Sequence, residues 1–280
     1  MRKLLIAVLA IVAVGAIASV AIAANTYKVH LAKATAGKGS MARPIPAALD
    51  FGYQVSDTEN MRPFVIREYR IAAEGLRSYP KARPRCTFDA ATDPTATTPG
   101  ALSAACKKAF VGTGTIDNLA GAPNDRSQKL ACDVTLTLIN ISNGDPRFPK
   151  TVSQIRKRGG IAIRIDTDPP ACPIPVHEAL AAPFYDTKLE GIPTSELRFT
   201  VPDTLAHPGG LDNAVTEVTS FIQKKTGKVV VKRGIPQAAA KRRVGFYSLV
   251  GRKGKTRTVR VTFIDESGAK RTATTTAKNK

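Results

Sequence analysis

From about residue 48 onward, apolar residues recur at every second position. Leu49, Phe51, Tyr53 and Val55 alternate with less apolar neighbours, as do Val134, Leu136 and Leu138, and Ile161, Ile163 and Ile165. A period of two places alternate side chains on one face of a strand. Residues 64–73 are rich in β-branched and aromatic types. Further strands are expected at 111–116, around Leu197, Phe199 and Val201, and at 229–232, 244–250 and 259–264. Gly112 and Gly114 mark a bend or bulge in the 111–116 segment, and Asn143-Gly144 is a turn signal. Leu211, Val215, Val218 and Ile222 stand at helical spacing, yet Val215, Thr216, Val218 and Thr219 are β-branched, so the segment reads as strand. One short helix is expected at 101–110. Many short strands punctuated by Pro and Gly, without βα alternation, predict a mainly β chain: an antiparallel β-sandwich-like domain with at most one or two short helices.

The ends depart from this pattern. Arg2 and Lys3 precede an uncharged run from Leu4 to Ala24, and Ala21 and Ala23 form the small-x-small signature of a signal peptidase site. Residues 1–23 are therefore expected to be a signal peptide, with a retained membrane anchor as the alternative. Residues 24–47 contain Lys28, Lys33, Lys38 and Arg43 and no acid, among several Gly and Pro, and predict a flexible basic spacer. The domain is expected to span 48–269. The Thr- and Lys-rich stretch 270–280 is expected to be a disordered basic tail.

Four cysteines in an exported chain predict two disulfides. Three pairings are possible. Cys86–Cys106 and Cys132–Cys172 are preferred because each joins sequence neighbours. No C-x-x-C occurs and no His sits at ligand spacing from a Cys, which speaks against zinc. The net charge of +20 is unevenly placed. Residues 224–280 hold 17 Lys and Arg against Asp265 and Glu266, whereas 24–223 hold 23 basic and 20 acidic residues. That concentration favours an anionic partner. Lys241, Arg242 and Arg243, with Arg252, Lys253, Lys255 and Arg257 on an expected hairpin tip, are the candidate anion-binding residues. Their alternative role is to keep exposed strand edges from pairing with other chains.

Motifs for catalysis fail at specific positions. His177-Glu178 lacks the second His of a zinc protease, because position 181 is Ala181. Gly254-Lys255-Thr256 lacks the first Gly of a P-loop at Leu249, and Val111-Gly112-Thr113-Gly114 lacks the last Gly of a dinucleotide fingerprint at Asp117. Asp166-Thr167-Asp168 is read as a strand end with solvated carboxylates rather than a cation site. His177 and His207, read as loop residues, could serve as general bases, but no paired nucleophile is in view. No catalytic residue, cofactor or metal is assigned. Trp is absent and aromatics make up only 6% of the chain, which counts against sugar binding by ring stacking.

Phe51-Gly52-Tyr53-Gln54-Val55, Val111-Gly112-Thr113-Gly114-Thr115, and His207-Pro208-Gly209-Gly210 leading into Asp212-Asn213-Ala214-Val215 resemble segments of a group of uncharacterised secreted proteins of high-GC Gram-positive bacteria. The resemblance carries no activity. It implies an extracellular or cell-envelope setting. The function expected from the sequence is that of a non-catalytic exported β-protein associating with anionic wall polymers or lipid headgroups. Export disfavours nucleic acid as the partner. The alternatives are a secreted hydrolase of an envelope polymer and a structural or adhesive surface protein.

Overall fold

The computed structural model describes residues 24–93, 102–104, 106–141, 159–224, 226–230 and 241–279. The expected signal peptide and the Asn143-Gly144 turn lie outside them. The chain is mainly β, as the alternation predicts, with two short helices among the described residues, Phe88–Ala91 and Asp203–Ala206. Its strands in chain order are β1 (Asn25–Ala34), β2 (Ile45–Ala47), β3 (Leu49–Asp57), β4 (Ile66–Ala73), β5 (Leu76–Ser78), β6 (Phe110–Gly121), β7 (Leu130–Ala131), β8 (Val134–Ile141) and β9 (Gly160–Thr167). They continue with β10 (Val176–Leu189), β11 (Ile192–Thr200), β12 (Asp212–Ile222), β13 (Thr226–Val230), β14 (Lys241–Gly245), β15 (Tyr247–Leu249), β16 (Arg257–Asp265) and β17 (Lys270–Asn279).

Twelve strands form one sheet in the order β12-β3-β1-β17-β16-β4-β11-β10-β9-β8-β6-β7, and β12 also pairs with β6, so the sheet closes into a barrel-like shell. Closure removes the open edges that a sheet otherwise exposes. Glycine makes the seam. Gly112 and Gly114 stand opposite Leu138 and Leu136, so they lie on the inward face of β6. A Cβ at either position would come 2.3 Å from a β12 carbonyl oxygen, of Phe221 and Thr219 respectively. Only a residue without a side chain lets the two strands fold this closely together. The bulge expected near these glycines falls between Phe110 and Gly112.

Both chain ends differ from expectation. The expected spacer contributes β1 and β2. The expected disordered tail is β17, which pairs with β16 along its length and in parallel with β1 at Lys33–Lys278 and Ala34–Asn279. Each end is weakly apolar alone, but their small inward residues (Val29, Ala32, Ala34, Ala273 and Ala277) are buried in the main core. Tyr27 of β1 stacks on Phe263 of β16 at 4.4 Å between ring centres. β10 was hidden because its Ala and Pro residues blur the alternation. The expected 101–110 helix reduces, among the described residues, to a single 3-10 turn at Lys107–Ala109.

Two small layers cover the shell. A three-stranded sheet, β2-β15-β5, closes one end. The segment around Cys86–Cys106 lies outside β8 to β10, where Phe88, Ala91 and Ala109 pack on Ile139, Ile141 and Ala162. The disulfides are Cys86–Cys106 and Cys132–Cys172, the preferred pairing. Two bridges place the chain in an oxidising, extracellular-type environment. Among the described residues, no helix is long and apolar enough to cross a membrane.

Candidate ligand cavity

The inward stripe of each strand is apolar, but the stripes do not fill the barrel evenly. On one side the rings of Tyr27, Phe51, Tyr53, Tyr69, Phe199 and Phe263 pack edge to face or stacked, with centres 4.4–5.9 Å apart. Burial raises the pKa of both Tyr53 and Tyr69; Tyr69 raises that of Tyr53 further, whereas the contact with Tyr53 works against the rise at Tyr69. The opposite side is lined by aliphatic residues from β8, β9 and β12, among them Leu136, Leu138, Ile163, Ile165, Val215 and Val218. They leave a cavity of about 120 Å³.

Residues at both ends of the barrel line the cavity. Tyr247 of β15 reaches in from the capping sheet, where Phe184, Phe246 and Tyr247 form a second aromatic group. At the other end Leu205, from the helix Asp203–Ala206, lines the roof. This four-residue helix is tethered by polar contacts. Thr204 Oγ1 donates to Glu178 Oε2 at 2.8 Å, Asn213 Nδ2 donates to the Leu205 carbonyl at 3.1 Å, and Arg67 pairs with Asp203. His207 follows directly, with Nδ1 3.0 Å from Asp212 Oδ1 and Nε2 2.6 Å from Glu266 Oε1. The buried guanidinium of Arg62 binds Asp212 Oδ2 at 3.1 Å and the carbonyls of Ala122, Asp125 and Gln128, fixing the adjacent loop.

Among the described residues, no charged side chain lines the cavity. Its polar lining is confined to phenols, Ser220 and two amides, Asn118 on β6 and Asn213 on β12. Asn118 is 4% exposed, and the Oδ1 atoms of both Asn118 and Asn213 are buried without a hydrogen-bond partner. Both amides sit near the roof, where Asn118 pairs in register with Val215. Their signal was present in the sequence: each is a polar residue in phase with an apolar stripe, two positions from Ile116 and Val215 respectively.

The histidines meet carboxylates but not nucleophiles. His177 lies on β10, not in a loop, with Nδ1 3.3 Å from Asp166 and Nε2 3.1 Å from Asp168. The expectation that both carboxylates of Asp166-Thr167-Asp168 are solvated fails for Asp166, while the Asp168 side chain is partly exposed. Asp166 is fully buried and takes Arg164 Nε at 3.0 Å on both oxygens. His207 likewise presents both ring nitrogens to carboxylates, and His30 Nε2 is 2.9 Å from Glu217. A catalytic triad would turn one nitrogen toward a nucleophile, an arrangement that neither His177 nor His207 adopts.

The basic residues separate into three groups. Lys241, Arg242 and Arg243 lie on β14, which pairs with β13, and their side chains are outside the described set. The Arg252–Arg257 segment is not a hairpin tip, because β15 pairs with β2 and β5 rather than with β16. Lys253 and Lys255 are exposed there, while half-buried Arg252 donates to the Lys255 carbonyl at 2.8 Å. Arg257 is turned inward and only 3% exposed. Its Nη1 donates to the carbonyls of Glu74 and Gly251, and burial lowers its pKa. It is thus a structural clamp on the turn after β4 rather than a surface anion contact.

Comparison with known proteins found no matching family model, no matching curated protein and no matching solved structure.

Proposed function

We propose that this chain is an exported binding protein that holds a small apolar molecule inside the barrel. The observation that carries this is the apolar cavity of about 120 Å³ with its uncharged lining. Protein interiors pack about as densely as organic crystals. An empty volume of this size costs about 3 kcal/mol relative to a filled one, at about 24 cal/mol per Å³. An engineered apolar cavity of about 150 Å³ stays dry and takes up benzene, so a ligand of roughly six ring atoms matches the space. Entry would pass the roof, whose short helix is held by a few polar contacts rather than by sheet hydrogen bonds. The leader at 1–23 would deliver the protein outside the cell, in keeping with its disulfides.

The test is thermal unfolding of the mature chain with and without benzene or cyclohexane, together with methyl NMR. A rise of several degrees in Tm, with shifts concentrated at Leu136, Leu138, Ile163 and Ile165, supports the reading, since a ligand that binds only the folded state stabilises it. Unchanged Tm and unchanged methyl shifts with both compounds refute it.

A second reading concerns the surface. Exposed Lys253 and Lys255 stand in a segment of high positive charge, which favours association with anionic envelope polymers or headgroups. Such binding would weaken steeply with salt and would fall in a Lys253→Gln, Lys255→Gln variant. Salt-independent binding to purified envelopes would exclude it.

A further inference from the structure

The polar atoms in the roof narrow the class of ligand. This inference rests on the cavity being a binding site and asks what enters it. An amide oxygen buried without a partner forfeits about 1–3 kcal/mol. Asn118 and Asn213 each leave one such oxygen at the same end of the cavity, and Tyr69 leaves its phenol oxygen unpartnered on the aromatic side. The amide nitrogen of Asn213 is already used in holding the Leu205 carbonyl, which fixes that side chain with its oxygen end unmet. Asn118 lies one strand away, two register positions along the β6–β12 ladder, where it pairs with Val215 while Asn213 pairs with Ala120. The other end of the cavity presents Tyr247, Leu138 and Ile161 and no amide.

We infer that the ligand is a neutral amphiphile: an apolar body of about six to eight heavy atoms bearing one hydroxyl or similar donor, which points to the roof and donates to Asn118 Oδ1, beside the Asn213 amide. A carboxylate of the same size is excluded by the same lining. Burying an ion with no cation or cluster of donors to meet it costs far more than the apolar body returns, and the cationic groups near the roof are engaged elsewhere: Arg62 with Asp212 and three carbonyls, Arg67 with Asp203 and Glu266. Phenols and small cyclic or branched alcohols have the required shape.

The probes are benzene, phenol and benzoate, each titrated into the mature protein at pH 7 by calorimetry. Phenol should bind about tenfold more tightly than benzene, as one net hydrogen bond provides, and benzoate should not bind measurably. In Asn118→Leu the tenfold preference should fall to about one, while benzene binds as before or better. Removing a buried unmet oxygen should leave this variant at least as stable as the parent. Should the variant fail to fold, the three probes on the unmodified protein still decide the matter. Benzene binding with phenol equal or weaker overturns the inference and leaves the cavity reading standing, as does benzoate binding as tightly as phenol. Failure of both benzene and phenol removes the cavity reading itself, with ordered water only as the content of the space.

Discussion

Val134→Phe provides the sharpest separation of a ligand cavity from a well-packed core. Val134 is 5% exposed on β8, lines the cavity and pairs with Ile116 in the register that leads to the roof. In a core packed to ordinary density, adding most of a phenyl ring would force neighbours off their rotamers and cost about 1–3 kcal/mol. Here the ring has space to enter. The whole void of about 120 Å³ corresponds to about 3 kcal/mol, and filling about a third of it returns about 1 kcal/mol at about 24 cal/mol per Å³. For a chain of this size that raises Tm by roughly 2–4 °C. The same ring occupies the ligand's place, so affinity for benzene should fall at least tenfold. Urea denaturation gives the stability change as a shift in midpoint at constant slope, and calorimetry gives the affinity. Stability and binding are thus expected to move in opposite directions. A destabilised variant that still binds benzene normally would refute the reasoning.

Further substitutions test the shell around the cavity. Gly114→Ala puts a Cβ 2.3 Å from the Thr219 carbonyl oxygen and should cost about 2 kcal/mol or more, with loss of hydrogen-exchange protection along β6 and β12; unchanged protection would mean that the seam tolerates a side chain. Removing Cys86–Cys106 by paired Ala substitutions should cost about 3 kcal/mol, measured by urea denaturation. Arg257→Gln should lower the urea midpoint while leaving the salt dependence of envelope binding unchanged, since the guanidinium is buried against Glu74 and Gly251. Burial of the Asp57 carboxyl opposes its charge, but hydrogen bonds from Arg126 and from the Glu59 and Met61 amides outweigh this and hold its pKa below the usual value. A carboxyl lowered in the folded state stabilises the fold above its unfolded pKa of about 3.9, and that stability is lost as pH falls through the folded value. Asp57→Asn should therefore flatten the loss of stability below about pH 4 in a pH series of denaturant midpoints.

The sequence carries the faces of the strands but not the closure of the sheet. Alternation such as Val134, Leu136, Leu138 states which side chains share a side, and the disulfide spacing favoured the observed bridges. Alternation reads the same in a sandwich and in a barrel, because both bury one face of each strand. Whether an edge stays open or finds β12 depends on Gly112 and Gly114, whose meaning appears only when the opposing carbonyls are in place. The two ends were misread for a related reason. A strand whose inward residues are Ala, as at Ala273 and Ala277, looks polar and frayed until it is paired with β16 and those residues enter the main core. Arg257 is the reverse case: a basic residue in a basic stretch, turned inward because the Glu74–Gly75 turn offers it carbonyl oxygens. Composition counts charges without directing them, so the basic quarter suggested a surface site that its structure shares out among strand, loop and clamp. The two asparagines in the roof complete the argument. Each breaks an apolar stripe at an inward position, and although Asn213 tethers the roof helix through its nitrogen, neither amide oxygen finds a partner in the core. A binding cavity gains from such an oxygen, because the amide that is unmet in the empty barrel is met when a ligand brings its own donor.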